Sequence, residues 1–78
     1  MPRVLLFGRL ADVAGWREKT VEAATLAELR AALGADPLLA EALAGPSVQV
    51  AVDKALVRAD VALKPTSEVA FLPPMSGG

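Results

Sequence analysis

Thr25-Leu26-Ala27-Glu28-Leu29-Arg30-Ala31-Ala32-Leu33-Gly34 is the stretch on which the fold turns. A threonine followed three residues later by a glutamate fits a capping box, in which the hydroxyl accepts from the N3 amide while the carboxylate reaches back to the cap N–H. A helix therefore starts at Leu26. Leu26, Leu29 and Leu33 recur on one face of it, Glu28 and Arg30 lie elsewhere, and Gly34 can take the left-handed conformation that ends it. Asp36-Pro37 opens a second helical piece, with Asp as N-cap and Pro at N1, running through Leu39 and Leu43 to Gly45-Pro46.

On either side of this helical layer the pattern is that of strands. Val4-Leu5-Leu6-Phe7 is β-prone and ends at Gly8; with Thr20-Val21-Glu22 it predicts a first hairpin whose connection carries one or two helical turns over Leu10 to Ala14, closed by Gly15. After Pro46 the period becomes two, since Val48, Val50 and Val52 alternate with Gln49 and Ala51 as in a sheet with one buried face. Asp53-Lys54-Ala55 then turns the chain into a short return strand, Leu56-Val57-Arg58. An irregular stretch from Ala59 to Ser67 holds a turn at Lys64-Pro65-Thr66-Ser67, and Glu68 to Leu72 is the last strand. The order ββ, helix, βββ implies an α+β domain over residues 1–72, with a mixed sheet of four to five strands packed on one main helix. Residues 73–78 form a flexible, extended C-terminal tail.

Strand parity turns Val4 and Leu6 toward the helix together with Leu26, Leu29, Val50 and Val69, and puts Leu5 and Phe7 on the opposite side. Phe7, Leu56 and Leu72, with Phe71, are further apolar residues that so small a domain leaves partly exposed near the tail. The alternative is that they complete the core or stand exposed singly. The order and length of the elements resemble the β-grasp, or ubiquitin-like, arrangement.

Composition limits the chemistry. With 78 residues the chain is one small domain, which buries only about 60% of its unfolded surface. It has neither Cys nor His, so there is no disulfide, Cys zinc site, thiol nucleophile or imidazole base. Ser47, Ser67 and Ser76 lack an imidazole partner, which excludes a Ser-His hydrolase. Eight basic and nine acidic residues are scattered, so no polybasic stripe exists to neutralise a nucleic-acid backbone. Lys54, Arg58 and Lys64 could meet acidic residues on a partner, but scattered surface cations are more often only solvated. The apolar run around Val69 to Leu72 is far too short to span a bilayer, and Met1-Pro2-Arg3 leads into a strand without a signal-peptide core. A soluble, cytoplasmic protein with no metal site and no membrane partner is expected.

The reactive group that remains is the C-terminal carboxyl. In Pro73-Pro74-Met75-Ser76-Gly77-Gly78, the prolines hold the backbone extended and the glycines let it enter a narrow channel. Fully extended, these six residues reach roughly 20 Å. Taken alone, a Gly-Gly end is also an ordinary chain terminus.

Val-Leu-Leu-Phe-Gly near the start, Thr-Leu-Ala-Glu-Leu-Arg at the helix, Val-Ala-Val-Asp at Val50 to Asp53, and Glu-Val-Ala-Phe-Leu-Pro-Pro-Met-Ser-Gly-Gly at the end resemble the small subunit of molybdopterin synthase, the MoaD family. The match is collinear over nearly the whole chain. Its most specific part is the terminal strand plus Pro-Pro-x-Ser-Gly-Gly, since the Gly-Gly tails of thiamin sulfur carriers usually lack the double proline. The resemblance implies a sulfur carrier that is not catalytic alone. An E1-like adenylyltransferase would use ATP to adenylate the Gly78 carboxyl, and a sulfurtransferase would supply sulfur to leave a C-terminal thiocarboxylate, a 1-thioglycine. The large synthase subunit would take the tail, Pro73, Pro74, Met75, Ser76 and Gly77 included, and pass sulfur to cyclic pyranopterin monophosphate within a heterotetramer. Phe7, Leu56, Phe71 and Leu72 would form the docking surface.

Two positions depart from the family pattern. The usual Asp-Gly-Asp before Glu-Val-Ala is here Pro65-Thr66-Ser67, and the asparagine that often follows Val-Ala-Val is Asp53. Both substitutions are alternative turn chemistry. Other readings of the same residues are a carrier for tRNA thiolation, thiamin or cysteine synthesis, a ubiquitin-like protein modifier, and a binding domain with an idle terminus.

Overall fold

The computed structural model describes residues 1–74; Met75, Ser76, Gly77 and Gly78 lie outside the described residues. In chain order the elements are β1 (Arg3–Leu6), α1 (Arg9–Ala14), β2 (Glu18–Thr20), α2 (Leu26–Leu33), α3 (Pro37–Leu43), β3 (Gln49–Val52), β4 (Ala55–Val57) and β5 (Glu68–Leu72). The mixed sheet has five strands in the order β2-β1-β5-β3-β4. Only β1 and β5 run parallel; the other neighbours are antiparallel. Helices lie across one face, in a β-grasp fold.

Helix α2 starts where the capping box places it, with the Thr25 hydroxyl accepting from the Glu28 N–H at 3.2 Å. Glu28 reaches back one residue further than expected, and its carboxylate accepts from the Ala24 N–H at 2.8 Å rather than from Thr25. Residues around Thr25 are held extended by a bridge to Ala62, in which Leu26 donates to the Val61 carbonyl and Leu63 donates to that of Ala24. Asp60 supplies a further cap from 33 residues away, accepting from the Ala27 N–H at 2.8 Å. The first three donors of α2 are thus all paired outside the helix, and the loop before β5 is pinned to the helix N-terminus.

Helix α3 follows the sequence reading: Pro37 occupies the first position and the Asp36 carboxylate accepts from the Leu38 and Leu39 N–H groups. Gly34 does not take the left-handed conformation. It sits at φ −68°, ψ −6°, and the Ala35 and Asp36 N–H groups donate to Ala32 and Leu33, so the helix tightens in its last turn and feeds directly into the next cap. Gly15 does close α1 in the left-handed region, at φ 82°. The second strand lies two residues earlier than Thr20-Val21-Glu22, because Arg3, Val4 and Leu5 pair with Thr20, Lys19 and Glu18.

Val4, Leu6, Leu26, Leu29, Val50 and Val69 are buried together, as parity requires. Leu33, Leu39 and Leu43 complete the helical side of the core, joined by Leu10 and by Leu63 from the irregular stretch. Ser67 is the one buried polar residue among those described; its hydroxyl accepts from the Lys64 N–H at 2.8 Å and closes the turn expected there. Among the described residues no helix is long and apolar enough to cross a membrane.

Asp60→Ala removes a charge-assisted cap from α2 and should lower the unfolding free energy by about 1 kcal/mol. Urea titration at neutral pH measures this, and an unchanged midpoint would mean that water replaces the carboxylate at no cost.

Candidate functional site

The tail leaves the central strand of the sheet. Along β5, Val69 and Phe71 point to the core and are fully enclosed, whereas Ala70 and Leu72 point outward and are half-buried. Phe71 is therefore not a docking residue. It lies two positions beyond Val69, so alternation carries it to the same inner face, where the Arg30 guanidinium of α2 stands 5.5 Å from its ring centroid.

Phe7 and Leu56 are 46% and 60% exposed, as expected, and Leu72 is half-buried. Strand register connects them. Leu5 pairs with Ala70, Ala70 with Ala51, and Ala51 with Leu56, giving one row of apolar side chains across β1, β5, β3 and β4 on the face that no helix covers. Leu72 pairs with Gln49 in the next row toward the tail, on the side where Phe7 leaves β1. The two alanines give this face a shallow apolar floor between Leu5 and Leu56. Its other end is ionic: Arg3 lies 3.1 Å from Glu18 and 3.6 Å from Glu68. Alternation with Val50 and Val52 sets Ala51 on the outer face, but alanine by itself carries no signal of a docking floor; for Ala70 the clue is its outward parity between Val69 and Phe71.

Gly8 positions the root of the tail. Its backbone is at φ 54°, ψ −129°, and a Cβ there would sit 3.2 Å from the Pro73 ring. Glycine thus serves twice, allowing the chain to turn from β1 into α1 and letting the first tail proline lie against that turn. Pro73 is half-buried and Pro74 exposed. Met75, Ser76, Gly77 and Gly78, the remaining tail residues singled out in the sequence, lie outside the described residues.

The two departures from the family pattern are accommodated locally. Asp53 and Lys54 both have positive φ, 50° and 71°, as a two-residue hairpin loop between β3 and β4 requires. The Asp53 carboxylate also accepts from the Glu68 N–H at 2.9 Å, while the Asp53 N–H donates to the Glu68 carbonyl at 2.8 Å, tying the hairpin to the start of β5. Among the described residues, no group of three or more acidic side chains gathers in a way that could hold a metal ion.

Residues 4–78 match the ThiS family. No curated protein matches the chain. Among solved structures, SAMP1 from Haloferax volcanii is 31% identical, with a TM-score of 0.85 and coverage of 99% of this chain and 98% of that one. A complex of subunits 1 and 2 of molybdopterin-converting factor from Helicobacter pylori contains a chain 27% identical, with a TM-score of 0.77 and coverage of 99% and 97%. Small archaeal modifier protein 1 from Methanosarcina acetivorans, 23% identical with a TM-score of 0.84 over 99% and 95%, shows the fold alone.

Leu56→Arg should change the unfolding free energy by less than about 0.5 kcal/mol, because its surroundings are solvent. Phe71→Ala should cost about 3–5 kcal/mol by opening the core. Urea melts of the two variants separate a surface residue from a core residue. Gly8→Ala, strained in backbone and crowded by Pro73, should cost about 1–3 kcal/mol on the same measurement.

Proposed function

The chain belongs to the ThiS family, and from that premise we propose that it is a ubiquitin-like sulfur carrier, working as the small subunit of molybdopterin synthase with its sulfur held on Gly78. The observation that carries the sulfur-carrier reading is that the family match runs from residue 4 to residue 78 and so includes the Gly77-Gly78 end, and the likeness to a chain of the H. pylori molybdopterin-converting factor complex supports the synthase role. The composition supports it, because a chain without Cys or His has few other groups with which to handle sulfur.

The chemistry divides between proteins. An E1-like activating enzyme brings the Gly78 carboxylate oxygen to the α-phosphorus of ATP, and pyrophosphate departs to leave an acyl-adenylate. A hydrosulfide equivalent from a sulfurtransferase adds to that carbonyl and AMP departs, leaving the thiocarboxylate. The large subunit then binds the carrier over its open sheet face and admits the tail to its own active site. There the sulfur passes to cyclic pyranopterin monophosphate, and hydrolysis restores the carboxylate. A second carrier delivers the second sulfur, and a heterotetramer with one carrier at each end of a large-subunit dimer suits that requirement.

The carrier's contribution is positioning. Val69 and Phe71 anchor the strand from which the tail leaves, and Gly8 fits against Pro73. The apolar row from Leu5 to Leu56 offers a docking surface at the same end of the molecule as Phe7 and Leu72. The two prolines reduce the conformational entropy lost when the tail is taken up.

A second reading has a specific observation behind it: the H. volcanii neighbour, SAMP1, is more similar in identity and in TM-score than the H. pylori chain. On that reading the activated Gly78 carbonyl is attacked by a lysine amine to give an isopeptide bond. Both readings share the activation step and differ in the nucleophile.

Deleting Gly78 should leave the urea midpoint unchanged and abolish sulfur uptake, read by intact mass after incubation with the activating enzyme, ATP and a sulfur donor. A truncated protein that still gains sulfur would remove the terminus from the mechanism. The thiocarboxylated protein should lose its sulfur only when large subunit and cyclic pyranopterin monophosphate are both present. Persistence of the thiocarboxylate together with conjugate ladders in extract would favour the modifier. Leu72→Arg should weaken large-subunit binding about tenfold or more, measured by calorimetry.

A further inference from the structure

The root of the tail borders a second surface, on the opposite side from the open sheet face. Between α1 and α3 runs an open groove of about 740 Å³, lined by Leu10 and Val13, by Leu38 and Ala42, and by Pro73 and Pro74. Burial of Leu39 and Leu43 suffices to hold α3 on the domain, yet Leu38 beside them is 67% exposed, the highest value among the large exposed apolar residues. Leu38 and Ala42 are four residues apart and share a side of α3; Arg9 and Val13 bear the same relation on α1.

Charge on the walls tells what the groove is suited to hold. Asp12 lines it from α1 and Glu41 from α3, with Arg9 as the one cation among the described lining residues. Two carboxylates against one guanidinium leave one negative charge. Asp12 and Glu41 are exposed, and among the described residues neither takes part in an ion pair. An apolar floor with one net negative charge on its rim, left by Glu41 once Arg9 offsets Asp12, fits an apolar segment carrying cations better than one carrying carboxylates.

We propose that the α1–α3 groove docks a partner segment in which leucine-like side chains alternate with lysine or arginine. Such a segment places its apolar side chains on Leu38, Val13 and Ala42 and its cations beside Asp12 and Glu41. Because Pro73 and Pro74 form part of the wall, the occupant also touches the base of the tail, so a partner using this groove meets the tail as it leaves the domain. This surface is separate from the sheet face and stands whether or not the sulfur-carrier reading does.

The test uses the whole protein, isotopically labelled, titrated with an end-capped hexapeptide of alternating leucine and lysine and with its leucine–glutamate counterpart. Amide shifts are expected at Val13, Leu38 and Ala42 and, through Pro73, at Leu72, with the basic peptide binding about tenfold more tightly than the acidic one. Leu38→Gln, at an exposed position, should weaken the basic peptide about tenfold, and the pair Asp12→Asn with Glu41→Gln, which leaves Arg9 as the remaining charge on the described lining, should reverse the preference toward the acidic peptide. Equal affinities for the two peptides, shifts confined to Leu5, Ala51 and Leu56, or no shifts with either peptide would each overturn the proposal.

Discussion

Burial of Val69 and Phe71 in the central strand is the constraint on which the rest depends. Strand β5 lies between β1 and β3, so it is paired on both edges, and its two inward side chains are completely enclosed. A strand held by two ladders and by the core has almost no freedom to slip, because a shift of one residue would drive both side chains into solvent and Ala70 and Leu72 into the core. The position and direction of the tail at Pro73 follow from that register. Few other places in so small a domain could hold the base of a tail as firmly.

The connection before β5 is secured by polar groups rather than by packing. Asp60 and the Val61 carbonyl satisfy donors at the start of α2, and Asp53 and Ser67 hold the two segments that flank the beginning of β5. These bonds join the helix N-terminus, the β3–β4 hairpin and the final turn into one unit. Leu63 is buried within it although no regular element contains that residue. The stretch from Ala59 to Ser67 is irregular in form and still carries a structural role, since Asp60 and the Val61 carbonyl cap α2 and the Ser67 carbonyl accepts from the Arg3 N–H of β1.

Two surfaces meet the tail root from opposite sides, an open sheet face made apolar by a row of small and large residues and a groove of net negative charge between two short helices. They differ in what they select. The sheet face excludes by shape and apolar area, with its ionic features confined to Arg3 and its partners. The groove discriminates by sign of charge. For a domain without Cys or His, docking is a means of choosing among the proteins that act on its terminus.

The sequence alone carried the parts of this structure that local chemistry dictates. Thr25 and Asp36 start their helices, Gly15 ends α1, Lys64 to Ser67 makes its turn, and the alternation of Val48, Val50 and Val52 marks the third strand, because each depends on the conformational preferences of a few neighbouring residues. The inward set Val4, Leu6, Val50 and Val69 was equally legible from parity. Tertiary structure decided the remainder. The second strand moved to Glu18–Thr20 because pairing with β1, not propensity, selects its register, and Gly34 stayed right-handed because the cap of α3 begins immediately after it. Phe71 became a core residue once its strand occupied the centre of the sheet. The apolar row from Leu5 through Ala70 and Ala51 to Leu56, like the cap supplied by Asp60, joins residues far apart in the chain; only strand order and loop placement bring them together, and no local preference records either.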